Sequence, residues 1–109
     1  MRNSAHLLIA GVMAASPALA LPPRYDVERH CREVASFGGS FSAVLYDTCF
    51  DMEQDAYDTL KRRWDGLPSA MRRHCDQVAS FAGSGSYSLL ETCVQMEEQA
   101  GSSGNVFQY

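Results

Sequence analysis

His30-Cys31-Arg32-Glu33-Val34-Ala35-Ser36-Phe37 returns 44 residues later as His74-Cys75-Asp76-Gln77-Val78-Ala79-Ser80-Phe81. Aligning residues 30–56 with 74–100 gives 15 identities in 27 positions: His, Cys, Val, Ala, Ser, Phe, Gly, Ser, Ser, Leu, Thr, Cys, Met, Glu and Ala. All four cysteines lie inside the repeat, Cys31 with Cys49 and Cys75 with Cys93, each pair enclosing 17 residues. The repeated unit is therefore defined by a cysteine pair.

Each copy reads as two helices joined by a turn. Val27, Cys31 and Val34 recur at i, i+4, i+7, as do Met71, Cys75 and Val78, which puts each set on one helix face. Pro68 is acceptable in a first helical turn, where its missing N–H costs nothing. Phe37-Gly38-Gly39-Ser40 and Phe81-Ala82-Gly83-Ser84 stop the first helix of each copy. Ser42 and Ser86 are placed as N-caps of the second, and Ser88-x-x-Glu91 offers a capping box one turn later. The second helices carry Leu45, Cys49, Met52, Ala56 and Leu89, Cys93, Met96, Ala100 at helical spacing, expected to pack against the hairpin partner. No stretch alternates as a half-buried strand does.

These spacings predict an all-α protein of four helices in two tandem disulfide-closed hairpins. At about 1.5 Å per residue, Cys31 and Cys49 both sit roughly 9 to 11 Å from their turn and face each other. Of the three pairings open to four cysteines, only Cys31 with Cys49 and Cys75 with Cys93 closes both hairpins equivalently. Each such loop stabilises by about 3 kcal/mol in the chain-entropy model, which matters in a chain with so small a core.

The N-terminus reads as a secretory leader. Arg2 is followed by the apolar run Leu7 to Ala15, then by Ser16-Pro17-Ala18-Leu19-Ala20, with small residues where a signal peptidase reads. Nine or so apolar residues fall well short of the roughly 20 needed to span a bilayer. The organisation expected is a signal peptide at 1–20, a first hairpin repeat at 21–65, a second at 66–100, and a flexible tail at 101–109. Localisation is read as periplasm or extracellular space, with no stable membrane anchor after cleavage. Loss of the leader leaves 8 basic against 13 acidic residues, and the basic ones sit in short pairs without the clustering that phosphate neutralisation needs, so nucleic acid is a poor partner.

A second stripe runs along the long helix that starts after Ser42. Tyr46, Phe50, Tyr57 and Trp64 fall within about 40° of one another on the helical wheel, roughly 100° from the cysteine face. This stripe, with Leu90 and Val94 of the second copy, is expected to lie between the hairpins. It is also the candidate interaction surface. Asp47, Asp51, Asp55 and Asp58 occupy the remaining face and read as solvated. The apolar end Val106-Phe107-Gln108-Tyr109 could dock on the body or enter a carboxylate-binding groove of a partner.

Signs of chemistry are few. CxxC and CxxCH are absent, as are a nucleophile elbow and a phosphate loop, and only His30 and His74 remain beyond the leader. No cofactor is implied and the chain reads as non-enzymatic. The alternative is a copper or other metal binder, since Cys49-x-x-Met52 and Cys93-x-x-Met96 place a thioether one turn from a thiol and would suit copper(I) if the thiols were reduced.

Trp64-x-x-Leu67-Pro68-x-x-x-Arg72-x-x-Cys75, followed by Gly85-Ser86-Tyr87-x-x-Leu90-x-x-Cys93, resembles a motif of small exported proteobacterial proteins of uncharacterised function. Copy one departs from it, with Phe41-Ser42-Ala43 in place of Gly-Ser-Tyr and no Trp-x-x-Leu-Pro before Cys31. The resemblance implies periplasmic residence and a cysteine-paired helical module, and it carries over no active-site residue. The function expected is a periplasmic interaction or structural role with a protein partner.

Overall fold

The computed structural model describes residues 19–109, so the leader read at 1–20 lies almost wholly outside the described residues. Four α-helices follow in order, α1 (Val27–Ala35), α2 (Ala43–Arg63), α3 (Ser69–Ser80) and α4 (Tyr87–Ser103), with a single 3-10 turn over Trp64–Gly66. Among the described residues there is no strand, and Cys31–Cys49 and Cys75–Cys93 are both disulfide-bonded.

Local chemistry sets the helix ends. Asp26 caps α1 by accepting the Arg29 N–H, Ser42 caps α2 by accepting that of Leu45, and Ser86 caps α4 by accepting that of Leu89. Each cap satisfies one of the free donors of a first helical turn. Lys61, Arg62 and Arg63 place positive charge in the last turn of α2, where the helix dipole favours it. The two hairpin turns close alike, Ser42 N–H on Ala35 C=O and Ser86 N–H on Ala79 C=O.

The helix boundaries differ from the sequence reading at two places. Pro68 stands at the N-cap of α3 rather than inside its first turn. The residues Gly101 to Ser103, read as flexible tail, continue α4, because the left-handed stop falls at Gly104 (φ 59). The Ser102 and Ser103 hydroxyls donate to carbonyls of that last turn.

The hairpins pack side by side with a stagger. Glu53 of α2 meets Ser86, Tyr87 and Ser88 at the start of α4, and Arg63 pairs with Glu98 farther on, so α2 and α4 run parallel. Ala56, Leu60, Trp64, Leu67, Cys75, Ala79, Tyr87, Leu90, Cys93 and Val94 form the core between them. Leu60, Leu90 and Val94 are fully buried. A strap over residues 20–26, ahead of α1, closes the core at one edge, with Ala20 and Tyr25 packed against the core beside Val27 of α1.

Two packing expectations are corrected. Val34, Leu45 and Met52, and their copies Val78, Leu89 and Met96, are 40 to 63% exposed rather than sandwiched in their hairpins. Each cystine brings its helices to a Cα separation of 5.5 Å, so the sulfurs with Ala35 or Ala79 fill the seam and larger flanking side chains turn outward. The aromatic stripe of α2 is likewise divided. Trp64 is buried and Tyr57 packs against the core, whereas Tyr46 is half-buried and Phe50 is 39% exposed. The stagger is the reason: α4 begins level with Glu53, so the first ten residues of α2 extend past it.

Candidate functional site

The strap and the α2–α4 junction enclose a cleft of about 440 Å³. Tyr25, Phe50, Tyr57 and Tyr87 form its walls, Leu21 and Pro22 its strap side, and Arg24 and Gln54 contribute polar groups at its edge. The rings interlock. Tyr25 and Tyr87 have centroids 4.7 Å apart, and Tyr57 meets Tyr87 edge-on at 4.9 Å, arrangements favoured by the ring quadrupoles.

Hydrogen bonds fix the strap to this aromatic group. The Tyr87 hydroxyl donates to Pro23 C=O (2.7 Å) and accepts from Tyr25 N–H (2.8 Å), while the Tyr25 hydroxyl donates to Asp76 Oδ1 (2.7 Å). Gly85 lies beneath the Tyr25 ring with φ +82, and a Cβ there would come within 2.6 Å of ring carbons. Only glycine meets both demands. Burial pushes the Tyr25 phenol far above its ordinary value, helped by its hydrogen bond to Asp76 and that carboxylate's charge. Burial also raises Tyr87.

Glu53 forms the floor and is 2% exposed. Its carboxylate accepts from Ser86 Oγ (2.8 Å), from Tyr87 N–H and from Ser88 N–H (3.3 Å), and His30 Nε2 stands 3.8 Å from Oε1. A carboxylate from one hairpin thus neutralises the positive end of a helix in the other. Ser88-x-x-Glu91 forms no capping box: Glu91 accepts from Gln95, and Glu53 supplies the acid from across the interface. The repeat-equivalent pair His74 and Glu97 also approach, at 3.4 Å, but both are exposed and meet no helix start.

These groups do not compose a catalytic relay. Ser86 Oγ donates to the carboxylate instead of to an imidazole and accepts the Leu89 N–H, which is capping geometry for a 3% exposed side chain. Among the described residues no three His, Cys, Asp or Glu side chains are grouped to hold a metal ion. The copper(I) arrangement read from Cys49-x-x-Met52 and Cys93-x-x-Met96 calls for thiolates, and in this fold all four sulfurs are bonded in pairs.

Of the stripe read at Tyr46, Phe50, Tyr57 and Trp64, Phe50 and Tyr57 line the cleft, Tyr46 lies beyond it and Trp64 is in the core. Glu53 and Tyr25 were not singled out in the sequence, and Gly85 and Tyr87 entered only through the motif. A retained His and Glu in both copies was the available signal, since those two positions come together in each hairpin. From the cleft wall at Phe50 an aromatic row continues through Tyr46 on the free half of α2 to Phe41 just ahead of the helix, with centroid spacings of 6.2 and 5.9 Å. No described helix is long and apolar enough to cross a membrane. Comparison of the chain with family models, curated proteins and solved structures returns no match.

Proposed function

We propose that this chain is an exported, non-enzymatic module that works by binding a protein in the periplasm. The observation that carries this reading is the free half of α2, where half-buried Tyr46 and partly exposed Phe50 line up with exposed Phe41 just ahead of the helix, on a scaffold held by two cystines. Exposed aromatic rows of this kind mark interaction sites more often than they mark waste of apolar surface. The cystines fit an oxidising compartment, and the leader-like N-terminus supports export.

Capture of the tagged, oxidised protein from an envelope extract tests the reading, beside a Tyr46→Ser, Phe50→Ser variant and with metal analysis of the purified chain. A specific protein recovered by the parent supports it. Stoichiometric copper or zinc with no protein recovered would refute it in favour of a metal binder.

A further inference from the structure

The internal repeat also indicates what kind of partner fits, a step that rests on the interaction reading above. Tyr46 and Phe50 stand where copy two has Leu90 and Val94, and Ser42 stands where it has Ser86. In copy two this face is fully covered. The C-terminal half of α2 lies along it in parallel, with Glu53 on the first turn of α4, Leu60 buried beside Leu90 and Val94 in the same core, and Arg63 on Glu98 at 2.6 and 2.7 Å. In copy one the corresponding face is only partly covered: Tyr46 is half-buried, and Phe50 is 39% exposed at the wall of the strap cleft. The face therefore packs a helix in one hairpin, whereas in the other no described helix of the neighbouring hairpin lies along it.

We propose that the free half of α2 docks an amphipathic helix of a protein partner, parallel to α2, with Lys or Arg set against Asp47 and Asp51. Charge selects the basic residues. The copy-two counterparts of these acids, Glu91 and Gln95, border a groove whose other side holds Asp55 and Thr59 of α2. A partner helix seated the same way brings its own two positions against exposed Asp47 and Asp51, where an acid would be repelled and a base attracted. A second copy of this chain is a poorer occupant. Its equivalent segment is the end of α4, where Gly101 and Gly104 replace Tyr57 and Leu60 and the helix stops at Ser103. The apolar side chains that cover Leu90 and Val94 are missing there.

The probe is a helix-stapled peptide copying residues 50–66 with Asp55→Lys and Thr59→Lys, titrated into the oxidised chain and followed by amide chemical shifts. Shifts clustered at Tyr46, Asp47, Phe50 and Asp51 are expected. Affinity should fall at least about tenfold for the unsubstituted peptide, and equally for the Asp47→Lys, Asp51→Lys protein, whose changes lie on a solvated face. Absence of binding, equal affinity of both peptides, or shifts centred on Leu90 and Val94 would each overturn the proposal. So would a dimer that Tyr46→Ser, Phe50→Ser dissociates, which would give the face to a second copy. In cells, a benzophenone side chain at position 46 or 50 should cross-link to a segment with apolar residues at i, i+4 flanked by Lys or Arg. Protein cross-links from other surfaces but none from these two would refute the docking face and leave the interaction reading standing.

Discussion

Glu53 accepts the backbone N–H of Tyr87, 34 residues away in sequence, and so ties the middle of one hairpin to the first turn of the other. The contact fixes the stagger of the two hairpins, and the stagger decides which aromatic residues are core and which are surface. Because the carboxylate is buried and accepts from three donors, its removal leaves Tyr87 N–H and Ser86 Oγ without their partner. Glu53→Ala should destabilise by about 3 kcal/mol, while Glu97→Ala at the repeat-equivalent exposed site should stay within about 0.5 kcal/mol. Urea denaturation of the oxidised proteins reads both, and equal midpoints would show that Glu53 does not hold the interface.

The divided stripe gives a second test. Trp64→Ala empties a core site and should cost about 3 to 5 kcal/mol, whereas Phe50→Asp, at a side chain already in contact with water, should cost about 1 kcal/mol or less. Thermal melts distinguish them. A Phe50→Asp protein as unstable as Trp64→Ala would place the first half of α2 in a packed environment.

How much of this was written in the chain can be judged from these same residues. The helices, their caps at Ser42 and Ser86 and the cysteine pairing follow from local spacing, which a single sequence displays. Periodicity also put Phe50 and Trp64 on one side of the long helix expected after Ser42. It could not say how far α4 slides along that side, because the register is set by Glu53 meeting a helix start in the other copy. Nor could it find the strap, since Tyr25 and Gly85 belong to different segments and signal nothing until one ring lies on the other's backbone.

Gly85 should be intolerant of any side chain. With φ at +82 and a ring 2.6 Å from where a Cβ would sit, Gly85→Ala should cost about 2 kcal/mol or more, from strained backbone and displaced ring together. Combining it with Tyr25→Ala removes the clash but not the backbone strain. Partial recovery of the hydrogen-exchange protection of Tyr87 in the double variant, relative to Gly85→Ala alone, is the expected result.

Alkaline pH should loosen the strap. The folded values of Tyr25 and Tyr87 both lie above the ordinary 10.0. A tyrosine whose folded value is raised contributes stability that is fully present below pH 10 and lost as pH rises above it, because the unfolded chain releases the proton first. Stability should therefore fall with pH above about 10, and less steeply in a Tyr25→Phe, Tyr87→Phe protein. Denaturant midpoints measured from pH 8 to 11 test this, with identical slopes for the two proteins as the contrary result.

Both cystines join residues 18 apart, and each stays within its own hairpin. As a covalent graph, the oxidised chain is two small rings strung on one thread, and that thread is the segment from residue 50 to residue 74. A protease that cuts once there would leave two chains with no covalent link, each still closed by its sulfurs, whereas a single cut inside either ring would leave one covalent piece. Lys61, Arg62 and Arg63 supply trypsin sites in the thread. After such a cut the two halves would be held together by the buried core between the hairpins alone, with no covalent bond behind it.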